Sequence, residues 1–329
     1  MVVSVRLKNS LPFSPPLLQF QRRFPDEAAC EAYLEQCRWP GGFTCTHCGT
    51  NREPYRFKKR PGVLRCRKCR KDTRLTAGTV MADSRTPLLI WFWSAHLVST
   101  QTDGMSATQL RRQLGIPSYE TAYNILQKLR AAMVRPNRDR IGAGRPGMDD
   151  YVEADEAWFD SKGLVTIMGA IEVRWVKNQA GVKSAAQRYG GRLRLAVGNR
   201  TKKAFEGFIQ GALVPGAPLI TDDSPNYGGL GKLGYAHEVE TIHGSKYAAG
   251  FYLKFIHLIF GNLRTWLNGT HHGIRACHLQ AYLNEFTFRF NRRFYPLGAV
   301  GTLLGIASST TGPTYEGLYS GTWKHPSCG

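Results

Sequence analysis

The stretch Tyr151-Val-Glu-Ala-Asp-Glu-Ala-Trp-Phe159 alternates apolar and polar residues, which is typical of a β-strand. It places Asp155 and Glu156 in mid-strand, where a buried carboxylate is costly unless a cation meets it. Further along, the apolar run Pro218-Leu-Ile-Thr221 leads directly into Asp222 and a second aspartate. Two such strands side by side would bring Asp155 and Asp222 within reach of one pair of Mg²⁺ ions. On spacing alone, acids that cap turns and pair with surplus arginine explain the pattern equally well.

Strand and helix patterns alternate around these two stretches. The predicted elements are, in chain order, the strands Val165–Val176 and Gly191–Gly198, the helix Lys202–Leu213, a short strand Glu238–Ile242, and the helical stretches Tyr247–Asn268 and Ile274–Arg292. This order predicts an α/β catalytic domain with an RNase H-like core over residues 149–305, followed by a C-terminal tail over 306–329.

A third metal ligand is expected on the helix Tyr247–Asn268, which contains no carboxylate. At about 100° per residue, with Phe255 at the centre of the apolar face, His257 and Arg264 lie together on the polar side. The same count places Asn262 within the apolar face, where it would serve packing or a hydrogen bond. Taken alone, a histidine at this position would be an exposed or capping residue. The choice between His257 and Asn262 as the third ligand stays open.

Two cysteine knuckles, Cys45-Thr-His-Cys48 and Cys66-Arg-Lys-Cys69, stand seventeen residues apart. This spacing is typical of a tetrahedral site in which Cys45, Cys48, Cys66 and Cys69 bind structural Zn²⁺. The alternatives are chance pairing and redox chemistry, but no thioredoxin-like βαβ pattern surrounds the knuckles. We therefore predict a zinc ribbon over residues 41–86, preceded by a helical segment over 1–40.

Charge indicates a polyanionic partner. The chain has 44 Lys and Arg against 24 Asp and Glu, a formal charge of +20, of which residues 1–150 carry +13. Residues 49–71 hold ten basic groups and one acid, so Lys58, Lys59 and Arg60 are expected to contact phosphate. No apolar run is long enough to cross a membrane, and the N-terminus lacks a signal-peptide core. The expected location is a reducing cytoplasm, in association with the nucleoid.

A second DNA-binding module is predicted over residues 87–134. Ser106 and Ser118 each precede a helical pattern, and Gly115-Ile-Pro separates the two patterns, as in a helix-turn-helix. Any αα-hairpin could show the same pattern. If the second helix enters the DNA groove, its contacts to bases would come from Tyr119, Asn124 and Gln127. A Gly- and Pro-rich linker follows over 135–148.

The whole order resembles bacterial insertion-sequence transposases of the DDE superfamily, in the subgroup with an N-terminal zinc ribbon and helix-turn-helix and a variable third catalytic residue. The matching stretches are Leu64–Lys71, Thr76–Leu88, Val152–Trp158, Ile220–Asp223, Gly234–His237, Asn262–Gly273 and His278–Arg293. The resemblance implies that Asp155 and Asp222 are the two catalytic acids and His257 the third residue. It also implies a phosphate-contacting base seven positions later, which is usually lysine and here is Arg264. Two Mg²⁺ or Mn²⁺ ions are the implied catalytic cofactors.

The function implied by the resemblance is that of a DNA transposase. Such an enzyme binds terminal inverted repeats of double-stranded DNA, hydrolyses a phosphodiester and joins the freed 3′-OH to target DNA, as a homo-oligomer on the DNA. The alternative is a non-catalytic zinc-ribbon and helix-turn-helix DNA-binding protein from a decayed transposase copy. An RNA-processing nuclease of the same fold would not explain the helix-turn-helix.

Overall fold

Two compact units make up the part of the chain that the computed structural model describes, which is residues 17–135, 137–145, 148–160, 164–177, 183–241 and 252–327. The first unit comprises the chain up to Arg135 together with Arg292–Trp323, and the second comprises Pro136–Asn291 and Lys324–Gly329. Among the described residues, no helix is both long and apolar enough to cross a membrane. Parts of five predicted segments lie outside the described residues: residues 1–16, residues 136 and 146–147 of the linker, residue 242, residues 247–251, and residues 328–329 of the tail.

The first unit opens with helices α1 (Leu17–Arg23) and α2 (Glu27–Arg38). The carboxylate of Asp26 caps α2 by accepting a hydrogen bond from the Ala29 amide at 2.9 Å, which satisfies one of the unpaired donors of the first turn. A ribbon of three short antiparallel strands follows, β1 (Tyr55–Arg56), β2 (Val63–Arg65) and β3 (Asp72–Arg74), in that spatial order.

Three helices complete the N-terminal part of the first unit: α3 (Leu88–Thr100), α4 (Ala107–Leu114) and α5 (Tyr119–Ala131). Both serines cap their helices, as the sequence predicts. The Ser106 hydroxyl accepts a hydrogen bond from the Gln109 amide, and the Ser118 hydroxyl accepts one from the Thr121 amide. Between the two helices, Gly115 adopts a left-handed φ of 62°, which ends α4. The three helices pack against one another through apolar side chains that include Leu110, Ile125 and Leu129.

The second unit is built on a five-stranded sheet in the order β6-β5-β4-β7-β8. Strands β4 (Tyr151–Asp160), β5 (Leu164–Lys177) and β6 (Lys183–Gly198) form an antiparallel meander. Helix α6 (Lys202–Ala212) then leads to β7 (Pro218–Asp222) and β8 (Ala236–Glu240), which pair parallel to β4 and β7, respectively.

Helices cover both faces of this sheet. On one face, Phe205 and Ile209 of α6 pack on Val152 and Ala154 of β4. On the other face lie α7 (Lys254–His271) and α8 (Leu279–Phe290). Helix α7 approaches β5 closely at Gly169, where a Cβ atom would stand 2.8 Å from Ile256 Cδ1 and 2.9 Å from Phe260 Cζ. A glycine at this point of the strand is therefore required by the close approach of the helix.

The chain returns to the first unit with α9 (Leu297–Ala307) and the short helix α10 (Tyr315–Tyr319). Helix α9 carries no charged residue, and it packs against α2 and α3 through buried side chains such as Val300 and Leu303. The amide of Val80 also donates to the Ala307 carbonyl at 3.2 Å. The sequence predicts one domain over residues 149–305, whereas the two compact units divide the chain at Arg292.

The predicted elements match the structure in type and differ at their ends. The predicted strand Gly191–Gly198 is the last part of the longer β6. The predicted helix Ile274–Arg292 is a 3₁₀ turn over Ala276–His278 followed by α8. These differences arise at Gly-rich or polar positions, where periodicity gives little information on boundaries.

We expect Gly169→Ala to lower the free energy of unfolding of the second unit by about 1–3 kcal/mol, because the added methyl group overpacks the contact between β5 and α7. The matched control is Gly207→Ala in α6, where nothing lies within 4 Å of the added Cβ. This control should gain up to about 1 kcal/mol, since alanine has the higher helix propensity. Denaturant unfolding measures both changes, and equal effects of the two substitutions would contradict the packing described here.

Candidate active site and nucleic-acid interface

The four knuckle cysteines converge in the first unit. Their sulfur atoms all lie within 4.8 Å of one another, with Cys45 and Cys69 sulfurs 3.6 Å apart and Cys48 and Cys66 sulfurs 3.7 Å apart. A tetrahedron of sulfurs about 2.3 Å from a Zn²⁺ ion has edges of about 3.8 Å, so the cluster fits this metal. The donor set and its geometry support a structural zinc site, as the spacing of the knuckles predicts.

Backbone hydrogen bonds shape both knuckles. The Gly49 amide donates to the Cys45 carbonyl at 2.9 Å, and the Arg70 amide donates to the Cys66 carbonyl at 3.0 Å. Gly49 and Arg70 both have positive φ values, 66° and 60°. The two knuckles therefore turn in the same way, and their turns bring four thiolates to one point.

The ribbon also carries the predicted phosphate-contacting residues. Lys58, Lys59 and Arg60 are exposed, as is Tyr55 beside them. Arg60 lies 3.3 Å from Asp72, and its guanidinium carbon lies 5.1 Å from the centre of the Phe57 ring. The three cations and the neighbouring aromatic rings form a basic, partly aromatic surface on the ribbon.

The three residues predicted to contact bases from α5 have different surroundings. Tyr119 is exposed at the start of the helix. Asn124 is half-buried and lines a cleft of about 660 Å³ between α5 and segments 78–86 and 311–315. Gln127 is fully buried, so it cannot reach a base edge in this conformation. Lys128 is also held inside, because its ammonium donates to the Ala82 carbonyl at 2.8 Å.

Pairing between strands brings the two predicted acids together in the second unit. In the parallel pair of β4 and β7, Glu153 is level with Ile220. Continued for two more residues, this register would set Asp155 level with Asp222, with both side chains on the same side of the sheet. Burial raises the pKa of Asp222, and the charge of Asp155 raises it further. The two carboxylates therefore repel each other in a partly dry environment.

His257 of α7 lies directly against this pair. Its Nε2 is 2.8 Å from Asp155 Oδ2, and the hydrogen bond raises the pKa of the imidazole above its ordinary value. Two turns further along α7, Arg264 donates to the Trp158 carbonyl at 3.3 Å, and its guanidinium lies 5.2 Å from the centre of the Phe159 ring. His257 and Arg264 thus both contact β4.

The predicted position of Asn262 within the apolar face is wrong, because this residue is exposed. The count was centred on Phe255, which is only half-buried, whereas the buried stripe follows Ile256, Phe260 and Leu263. Its centre is about 100° further round the helix. This rotation moves Asn262 to solvent and brings His257 to the edge of the packed face.

Two further acids on β4 have structural partners that the sequence analysis missed. Glu153 is fully buried, and its Oε2 accepts hydrogen bonds from the amides of Phe255 and Ile256 in α7 at 2.8 and 2.9 Å. Burial raises the pKa of Glu153 to about 7, although these two bonds oppose the shift. Strict alternation along the strand could have identified Glu153, since it shares a face with Asp155.

Glu156 points to the opposite face of the sheet. It accepts a short hydrogen bond from the hydroxyl of Tyr227 and lies 3.8 Å from Arg200. Tyr227 is buried in the turn that follows Asp222, so this bond ties the turn to β4. Asp223, next to Asp222, is exposed.

The donor chemistry of the site fits Mg²⁺ or Mn²⁺. Two carboxylates offer hard oxygen atoms, and a neutral imidazole suits Mn²⁺ better than Mg²⁺. Among the described residues, the zinc cluster is the one place where three or more ligand atoms of His, Cys, Asp or Glu lie within 4.8 Å of one another. Asp155, Asp222 and His257 therefore do not form a compact cluster of three ligand atoms in this structure.

Comparison with known protein families matches both parts of the chain. Residues 147–291 match the ISXO2-like transposase domain. Residues 25–72 match the transposase zinc-ribbon domain, which contains all four cysteines of the cluster. No curated protein matches the chain. The two matched ranges agree with the predicted family and with the predicted order of ribbon and catalytic domain.

Removal of zinc should unfold the ribbon and leave the sheet of the second unit folded. Three short strands bury too little apolar surface to be stable alone, so the bonds from four thiolates to zinc stabilise the ribbon. We expect Cys66→Ser to lose bound zinc, measured by elemental analysis, and to lose amide protection across residues 43–75, measured by hydrogen exchange. Cys277→Ser is the matched control, since Cys277 is exposed and lies outside the cluster. Full ribbon protection in the zinc-free protein would contradict a structural role for the metal.

Proposed function

We propose that this chain, which belongs to the insertion-sequence transposases of the DDE type with an N-terminal zinc ribbon, cuts and joins DNA at the ends of its own element. The observation that carries this proposal is the contact of His257 with Asp155, on the strand that pairs in parallel with the strand of Asp222. A protein that only binds DNA has no reason to keep these three groups together.

The fold proposed for the catalytic domain is RNase H-like. Its support is the sheet order, with three antiparallel strands followed by two parallel ones, and the helices on both faces. In this arrangement the first strand lies at the centre of the sheet, so Asp155 meets a residue at the carboxyl end of its parallel neighbour β7. Ligands bind at such ends of parallel strands in many α/β folds.

In the proposed mechanism, Asp155 and Asp222 would hold divalent ions with their carboxylates, and His257 would serve as the third ligand when its imidazole is neutral. When bound, such ions supply the charge that activates a water molecule or a 3′-OH and stabilises the leaving oxygen. Arg264 is exposed beside Trp158, near the C-terminal end of β4, and binds a phosphate oxygen of the DNA strand that is cut. Glu156 and Tyr227 hold the turn after Asp222 in place. The chain forms no covalent intermediate, because the nucleophiles are water and the 3′-OH.

The first unit is proposed to bind the terminal inverted repeats. Helices α3, α4 and α5 serve as a helix-turn-helix, and the exposed cations of the ribbon bind the DNA backbone. We retain Tyr119 as a base-contacting residue and leave out Gln127, which is buried. Asn124, which is half-buried in the cleft beside segment 311–315, is retained as a base-contacting candidate. The protein acts as a homo-oligomer on chromosomal DNA in the cytoplasm.

A non-catalytic DNA-binding protein from a decayed element is the alternative function. Such a protein would need the zinc ribbon and the helices of the first unit. It would not need a carboxylate at Asp155 or an imidazole beside that carboxylate at His257. Cleavage of a duplex that carries an element end therefore distinguishes the two functions directly.

Substitution of the three site residues should separate cleavage from binding. We expect Asp155→Ala and Asp222→Ala to abolish strand cleavage with unchanged affinity for the repeat. His257→Ala should reduce cleavage strongly, and His257→Glu should retain or raise activity with Mg²⁺, because a third carboxylate adds negative charge for two divalent ions. The parent protein, which has His257, should prefer Mn²⁺. Its activity should fall as the pH falls, since only neutral imidazole is a ligand.

Asn262→Ala is the matched control on the same helix and should cleave like the parent, because this side chain is exposed. The measurement is the cleavage rate of an end-containing duplex under Mg²⁺ and under Mn²⁺. A folded Asn262→Ala without activity, beside a fully active His257→Ala, would show that the third ligand is wrongly assigned.

Binding to the repeat should depend steeply on salt. If the ribbon and the helices contact about six phosphates, the logarithm of the binding constant should fall against log[salt] with a slope of about −5. Replacing Lys58, Lys59 and Arg60 together by Ala should flatten this slope and weaken binding to all sequences alike. Tyr119→Ala should change the preference for the repeat and leave the slope unchanged. The account of the interface fails if both variants change the slope equally.

A further inference from the structure

The first turn of α7 is partly buried and has no side-chain cap at its N-cap position. Leu253 stands at the cap position, where its apolar side chain cannot accept a hydrogen bond from the first-turn amides. Leu253 and Ile256 are both fully buried. The first amides of a helix have no partner within the helix, and a buried amide without an acceptor is costly. An acceptor from another element is therefore required at this point.

Glu153 of β4 provides that acceptor. A single oxygen, Oε2, accepts hydrogen bonds from Phe255 and Ile256 at 2.8 and 2.9 Å. The carboxylate is fully buried, so water cannot take its place. Negative charge at the positive end of a helix dipole adds to the stability of this contact.

The same strand makes a second contact with the next residue of the helix. Glu153 and Asp155 share one face of β4, since side chains alternate along a strand. Asp155 hydrogen-bonds to His257, which directly follows Ile256. A shift of the helix by one residue would turn His257 by about 100° and break its contact with Asp155. The two amide bonds to Glu153 oppose such a shift.

The first unit contains the same arrangement, and this provides a control. Helix α3 follows Pro87, which offers no side-chain cap. The carboxylate of Glu27 accepts hydrogen bonds from the amides of Leu88 and Leu89 at 2.7 and 2.9 Å. In each unit, a glutamate that is distant in sequence thus accepts hydrogen bonds from first-turn amides of a helix. Only in the second unit does a proposed metal ligand, His257, directly follow these amides.

We propose that Glu153 is a positioning residue, which fixes the register of α7 against β4 and thereby places the imidazole of His257 at Asp155. The link to catalysis rests on the proposed function, whereas the placement of His257 can be tested without it. In this role Glu153 acts through the helix, because its carboxylate is buried.

The test uses the full chain with Glu153→Ala, Glu153→Gln and, as the matched control, Glu27→Ala. Hydrogen exchange reports the amides of Phe255 and Ile256, and the ring ¹⁵N signals of His257 report its contact with Asp155 without metal or DNA. In Glu153→Ala we expect at least about tenfold faster exchange in the first turn of α7, since a buried hydrogen-bond acceptor is lost. The His257 signals should move towards those of a free histidine.

Glu153→Gln should restore most of the protection and the His257 signals, because its one carbonyl oxygen can accept both bonds, as Oε2 does. Glu27→Ala should speed exchange at Leu88 and Leu89 and leave α7 and His257 unchanged. Parent-like exchange or unchanged His257 signals in Glu153→Ala would overturn the proposal.

Cleavage of an end-containing duplex links the position to the reaction. Glu153→Ala should lower kcat with little change in KM, and should have no further effect in the His257→Ala background. An equal loss in both backgrounds would overturn the positioning role. If the parent does not cleave, the proposed function fails, while exchange and the His257 signals still decide whether Glu153 positions the helix.

Discussion

Three carboxylates on one strand, one buried and two half-buried, constrain the second unit. Glu153, Asp155 and Glu156 of β4 each need a partner, because a buried charge without one is costly. Each finds it on a different element: the amides of α7 meet Glu153, His257 meets Asp155, and Tyr227 meets Glu156. These contacts fix α7 on one face of the sheet and the turn after Asp222 at its edge. The same contacts that satisfy the acids therefore assemble the candidate site.

Local chemistry allowed much of this arrangement to be predicted from the sequence. Alternation along Tyr151–Phe159 predicts β4 and the buried position of Asp155, and the spacing of the two knuckles predicts the zinc cluster. The structure contains β4 over these residues, and the matched zinc-ribbon family agrees with the second prediction. The selection of His257 came from the resemblance to a family, because the pattern of the helix alone permits an exposed histidine.

The features that could not be predicted depend on tertiary contacts. The apolar side chains of α7 cover more than one face, so the sequence could not show that the buried stripe centres on Ile256 and leaves Asn262 in solvent. Gln127 is fully buried although it is polar, and no local pattern signals this. Likewise, α9 is apolar on all sides, which indicates burial but does not indicate the partner. Its packing on α2 and α3 explains why the chain changes units at Arg292.

Asp155, Asp222 and His257 are proposed to form one metal-binding site. Crystals of the full chain soaked in Mn²⁺ test it directly, because anomalous scattering locates the ions without dependence on activity. The account predicts Mn²⁺ between the carboxylates of Asp155 and Asp222, with His257 Nε2 as a ligand and the Glu153 bonds to α7 intact. Mn²⁺ bound at other acids only, with Asp155 and His257 still hydrogen-bonded to each other, would contradict it.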